Sequence, residues 1–115
     1  CIGDDIDSNH EQIKIGCGYD HPFLLDDNKN IYMEDKISKR NMTISTNQKA
    51  VVIYSMNFTD DEILYNDKKE QRRYGICFET QAPPIGRNMC FIEDSLIEKN
   101  VEYLQKTVYK FGIIK

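Results

Sequence analysis

Apolar and polar positions alternate most cleanly at Met42-Thr43-Ile44-Ser45-Thr46, and a period of two predicts a half-buried strand there. Residues 50–54 form a compact apolar run rich in β-branched side chains, which suits a strand covered on both faces. Residues 31–35 read as a short strand, 75–81 as another, and 103–114 as a long closing strand with few breakers. Residues 19–25 read as a short extended segment in which Pro22 removes a ladder donor, placing it at an edge or a strand start. Asp26-Asp27-Asn28-Lys29-Asn30 and Asn47-Gln48 carry turn chemistry. Residues 1–18 read as loop, and the charged stretch 59–73 as a solvated loop with room for one helical turn. Residues 82–88, with Pro83, Pro84 and Gly86, are irregular. Only 95–105 has the pattern of a helix, and the β-rich run after it favours a turn and a strand. Short strands punctuated by turns predict an all-β, antiparallel sandwich or barrel.

Length qualifies that picture. A chain of 115 residues suits one small domain or a piece of a larger one. A domain of that size buries only about 60–70% of its unfolded surface. Ordering each residue's backbone costs roughly 1–2 kcal/mol. With long loops and few strands, the segment is expected not to close a sandwich alone without open sheet edges. The first residue, Cys1 rather than Met, fits the expectation of a fragment or a trimmed chain.

Charge and cysteine usage narrow the partners. Fifteen basic against 19 acidic side chains give a net charge of -4, which argues against nucleic acid as a partner. No apolar run approaches the ~20 residues of a membrane-spanning helix, so no membrane partner is expected. None of Cys1, Cys17, Cys77 and Cys90 forms a C-x-x-C pair, and neither His10 nor His21 lies at ligand spacing from a cysteine. No metal site is expected. Two glycosylation triplets, at Asn41 and Asn57, carry little weight without a secretory leader. Reduced cysteines in a cytoplasmic protein are the reading adopted, with Cys77 as a small buried hydrophobe.

Two windows carry candidate chemistry. In the strand 75–81, side chains alternate, so Cys77, Glu79 and Gln81 share one face and Ile76, Phe78 and Thr80 the other. A carboxylate and an amide projecting together could floor a polar pocket, with Glu79 as a general base. An ordinary solvent-facing glutamate is the alternative. Asp20-His21, pinned by Pro22, could bind a hydroxylated ligand, or Asp20 could be a turn residue. Tyr54 and Tyr109 read as packed aromatics, Arg72-Arg73 as a solvated pair, and His10 carries no role.

These windows together resemble a known family. Gly18-Tyr19-Asp20-His21-Pro22-Phe23-Leu24-Leu25 is similar to the Gly-x-Asp-His-x-Phe-x-Leu segment of the aldose 1-epimerases (galactose mutarotases). Gly75-Ile76-Cys77-Phe78-Glu79-Thr80-Gln81 resembles their Gly-x-x-Leu-Glu-Thr-Gln strand. Tyr54-Ser55-Met56-Asn57-Phe58 resembles the family's Tyr-Thr-Gly-Asn-Phe, and Thr107-Val108-Tyr109-Lys110-Phe111 its closing strand. Ile2-Gly3-Asp4-Asp5-Ile6 fits the run-up to the Asp-His segment. The resemblance covers the C-terminal third of such an enzyme. It implies an antiparallel β-sandwich of the galactose-mutarotase-like supersandwich type, with residues 1–115 as a C-terminal fragment of that single domain.

The resemblance also implies a reaction, the interconversion of α and β anomers of a free aldose of the galactose or glucose class, by an isomerase. A base removes the C1 hydroxyl proton while an acid protonates the ring oxygen. The ring opens, C1 rotates, and attack on the other carbonyl face recloses it. No metal or organic cofactor is needed. By resemblance, Glu79 is the general base, Asp20 hydrogen-bonds sugar hydroxyls, His21 supports the Asp20 loop, and Gln81 orients Glu79. The family's acid histidine lies in an upstream Asn-His-x-Tyr-Phe motif that this chain does not contain. The isolated fragment is therefore expected to be inactive without the N-terminal part of the same enzyme. Val52 stands where many members have a sugar-contacting glutamine, Met56 where glycine is usual, and Ile85 replaces the acid of a Pro-Asp-x-x-Asn pattern. Val52 and Met56 keep open a second reading, a non-catalytic carbohydrate-binding or sugar-sensing relative, and a third, of another class, is a β-rich interaction module unrelated to sugars.

Overall fold

The computed structural model describes all residues from Cys1 to Lys115. Two short helices open the chain, α1 (Ile2–Asp5) and α2 (Glu11–Gly16), followed by the strands β1 (Asp20–Leu24), β2 (Asn30–Asp35), β3 (Arg40–Thr46), β4 (Ala50–Tyr54), β5 (Ile63–Leu64), β6 (Lys68–Lys69), β7 (Cys77–Gln81) and β8 (Thr107–Ile113). Strands dominate, as the alternation predicted. Two compact units divide the chain: Cys1–Phe23 with Val52–Glu79, and Leu24–Val51 with Thr80–Lys115. Three strands, in the hydrogen-bonded order β1-β4-β7, contribute residues to both units.

In the second unit β3 is the central strand of the sheet β2-β3-β8, antiparallel to both neighbours. Ile31 lies opposite Ile44, which lies opposite Tyr109, and Met33 opposite Met42, which lies opposite Phe111. Residues directly opposite each other project from the same face, so these six side chains form two apolar rows. The central members are buried, Ile44 completely and Met42 at 8% exposure, whereas Phe111 at the flank is 75% exposed. Ile44→Ala is expected to destabilise the full-length protein by about 2–5 kcal/mol, read as a fall in urea midpoint at unchanged slope.

A row of hydroxyls links three strands of this unit. Thr80 Oγ1 lies 2.6 Å from Thr107 Oγ1, which lies 3.0 Å from Thr46 Oγ1. Thr46 in turn accepts the Gln48 amide and lies within donating distance, 3.3 Å, of the Lys106 carbonyl. Asn47 anchors the same corner, its Nδ2 donating to the Leu104 carbonyl at 2.7 Å and its Oδ1 accepting from the Lys106 amide at 2.9 Å. Lys49 and Asp94 close it with an ion pair.

The β2–β3 turn is built around Asp35, whose carboxylate accepts the Ile37 amide at 3.0 Å and the Ser38 amide at 3.3 Å. A hydrogen bond from the Ser38 side chain, with help from the Ile37 amide, holds its carboxyl below the ordinary value of 3.8. A carboxyl whose pKa is lower when folded stabilises the fold above its unfolded pKa and loses that contribution as pH falls through the folded value. The stability gap between the native protein and Asp35→Asn is therefore expected to be full at neutral pH. It should close as pH drops below 3.8, which urea midpoints measured along a pH series will show.

The structure corrects four local readings. Residues 1–18 are not all loop, because α1 and α2 form there. The solvated stretch 59–73 contains the small β5–β6 hairpin, in which Ile63 pairs with Lys69, with the one helical turn the sequence left room for at Tyr65–Asp67. The closing strand begins at Thr107 rather than 103, and residues 103–106 belong to no strand. Cys77 is exposed, as are the other three cysteines, because the inward face of β7 is taken by Phe78, which is buried.

Candidate active site

The first unit carries Asp20 and His21 on β1 and Glu79 on β7, with β4 between those strands. Two backbone bonds, Ser55 N–H to Tyr19 O at 3.1 Å and Leu25 N–H to Lys49 O at 2.9 Å, fit one antiparallel register of β1 on β4. In that register Asp20 lies opposite Tyr54 and Pro22 opposite Val52, so Val52 and Tyr54 share the face of Asp20.

Glu79 is exposed on the alternation of β7, with buried Phe78 on the opposite face. Asp20 is exposed at the start of β1. Neither carboxylate enters an ion pair. Neighbouring strands lie about 4.7–4.9 Å apart, so strands two apart are separated by roughly 10 Å. That is too far for Asp20 and Glu79 to bond each other across β4, and it leaves both oxygens of each available to a polar ligand. Gln81, two residues beyond Glu79 on the same side of β7, belongs to the second unit and is half-buried.

His21 is turned toward its own backbone. Its Nδ1 accepts the Asp20 amide N–H at 2.9 Å, so in the neutral ring the proton resides on Nε2. Tyr19 meets the ring edge-on at a centroid distance of 6.4 Å. Burial raises the Tyr19 pKa, with Asp5 and Asp4 adding to the shift. His10, given no role by the sequence, caps α2 by accepting the Gln12 amide on Nδ1.

Behind Asp20 sits a polar cluster. Asn57 and Ser55 are 2% and 3% exposed. Asn57 Nδ2 donates to the carbonyls of Gly16 at 2.7 Å and Tyr19 at 2.8 Å, and its Oδ1 accepts the Ser55 hydroxyl at 2.6 Å. Ser55 Oγ accepts the Tyr19 amide at 3.0 Å. Arg73 is not a solvated charge: it donates to Ser55 Oγ, Asn57 Oδ1, Asp7 Oδ1 and the Cys17 carbonyl. Arg72, by contrast, only adds a bond to that same carbonyl at 2.8 Å. Ser55 and Asn57 lie within the Tyr-Ser-Met-Asn-Phe window, so the motif located them without assigning a task. Nothing local signals Arg73, whose acceptors lie 16 to 66 residues away in sequence.

The sequence model of the family described as aldose 1-epimerase matches residues 2–110. The chain belongs to the aldose 1-epimerase family. No curated protein matches the chain. The family membership and the antiparallel sheets agree in an all-β, sandwich-like fold with only short helices. The family is of the isomerase type and acts on sugars, and a monosaccharide is the class of substrate in keeping with membership of it. No helix of the chain is long and apolar enough to cross a membrane.

Proposed function

We propose that this chain is the base-bearing part of an aldose 1-epimerase that interconverts the anomers of a galactose- or glucose-class sugar. Glu79 removes the C1 hydroxyl proton, Asp20 holds sugar hydroxyls, and Gln81 orients Glu79. His21, fastened to the Asp20 amide, keeps the loop in place. The proton donor for the ring oxygen is a histidine from polypeptide outside these residues, so residues 1–115 form the C-terminal part of one larger domain. The surface is in keeping with that. Few apolar side chains are buried, Met42, Ile44, Ala50, Val51 and Pro83 in the second unit and Phe78 in the first, while Phe111 and Ile113 are 75% and 67% exposed on β8. A cytoplasmic setting suits the four exposed, unbridged cysteines.

The observation that carries the reading is an unpaired carboxylate at Glu79, in a chain matched to the family over residues 2–110. The experiment is anomerisation of freshly dissolved α-galactose and α-glucose by the full-length protein and by its Glu79→Gln variant. A second reading, sugar binding without turnover, is favoured by Val52, an aliphatic group on the face of Asp20, and by Met56, which holds a φ of 48° where glycine is usual. Saturable sugar binding with no anomerisation by the full-length protein selects that second reading.

A further inference from the structure

We propose that Arg73 is a positioning residue for Asp20, acting through Ser55 and Asn57; the inference rests on Asp20 being the sugar-binding group. The Asp20 carboxylate is exposed and has no ion-pair partner in the protein. Whatever precision it brings to a sugar hydroxyl must therefore come from its backbone, and the backbone just before it is held at both ends. Asn57 grips the carbonyls of Gly16 and Tyr19, and Ser55 takes the Tyr19 amide. Arg73 in turn fixes Ser55 and Asn57, and with its other nitrogen reaches Asp7 at 3.0 Å and the Cys17 carbonyl at 2.8 Å. Its side chain is only 24% exposed.

Four acceptors on three separate stretches of chain, at Asp7, Cys17 and Ser55–Asn57, suit a planar guanidinium, whose donors point in fixed, divergent directions. An ammonium on a flexible stem cannot address them together. Gly18 completes the arrangement: at a φ of +142° it leaves room for the guanidinium, and a Cβ there would lie 2.8 Å from Arg73 Cζ. Small misplacements of a binding group are costly, on the order of 10²-fold for about 1 Å. The clamp is thus placed to set how well Asp20 meets a ligand without touching it.

The test is a double-mutant cycle in the full-length enzyme with Arg73→Lys, Asp20→Asn and both together. Arg73→Lys is expected to lower kcat/KM by about 10- to 100-fold, chiefly by raising KM. Added to Asp20→Asn it should cost less than about twofold more, because residues acting as one unit are not additive. Additive losses, or a lowered melting temperature with KM unchanged, overturn the proposal. A readout independent of turnover is amide hydrogen exchange at Tyr19, whose N–H rests on Ser55 Oγ. Exchange there should accelerate in Arg73→Lys while the Ile44 amide stays protected, and unchanged exchange at Tyr19 overturns the proposal. Arg73→Gln, which keeps an N–H donor but not the guanidinium fork, serves if Arg73→Lys does not fold, with the same outcomes expected. If the unmodified enzyme anomerises no sugar, the functional reading itself fails. If it does and the cycle is additive, only the clamp fails.

Discussion

Glu79→Gln is expected to slow anomerisation by the full-length enzyme by about 10²- to 10⁴-fold, the usual contribution of one positioned proton carrier. The amide keeps the size and one acceptor oxygen of the carboxylate but loses its negative charge and its capacity to take a proton. No ion pair of the protein uses Glu79, and its side chain lies on the exposed side of β7. The substitution should therefore leave folding intact, and its kinetic effect can be read as chemistry. Loss of an interaction made only in the transition state lowers kcat and kcat/KM together, whereas loss of uniform binding raises KM alone. Polarimetry on fresh α-anomers at several concentrations separates the two. Equal rates for the native enzyme and the variant would remove Glu79 from the mechanism.

Gly18→Ala is expected to be the most disruptive single change on the Asp20 side. The residue holds a φ of +142°, a region that costs side-chain-bearing residues of order 1–3 kcal/mol. The new methyl would also press on Arg73 Nη1 and Asn57 Oδ1, and neither can withdraw without leaving a largely buried polar atom unmatched. An unsatisfied buried polar group adds about 1–3 kcal/mol. Against a total stability of about 5–15 kcal/mol, the variant should show a lowered urea midpoint and, in whatever fraction folds, weakened sugar affinity. A variant as stable as the native protein would mean that the turn has another conformation open to it.

The parts of this fold that were legible are those in which a short window carries its own pattern. Met42 and Ile44 alternate with polar neighbours, and both are buried on one face of β3. Phe78 and Glu79 take opposite sides of β7 for the same reason. The helices were not legible because they are too short for a 3.6-residue period to declare itself: α2 runs only six residues before Cys17 turns left-handed. Glu79 and Asp20 became candidates from their own windows, Glu79 by alternation beside Gln81 and Asp20 beside an imidazole, and the motif resemblance supplied the roles proposed for them. The Arg73 cluster escaped both routes. Its members are ordinary residues in ordinary windows, and their common purpose exists only once chain segments far apart in sequence are brought together.

The three threonine hydroxyls at 46, 107 and 80 have a consequence for which residues the closing strand can accept. Each hydroxyl owns a single proton, so the row is satisfied only if its members agree on a direction of donation. The middle oxygen, on Thr107, serves a neighbour on either side. Valine there would preserve the shape of the strand yet leave the Thr80 hydroxyl without its partner and Thr46 with only the Lys106 carbonyl and the Gln48 amide, while serine would keep the relay running. Position 107 is therefore chosen for its oxygen rather than for its fit.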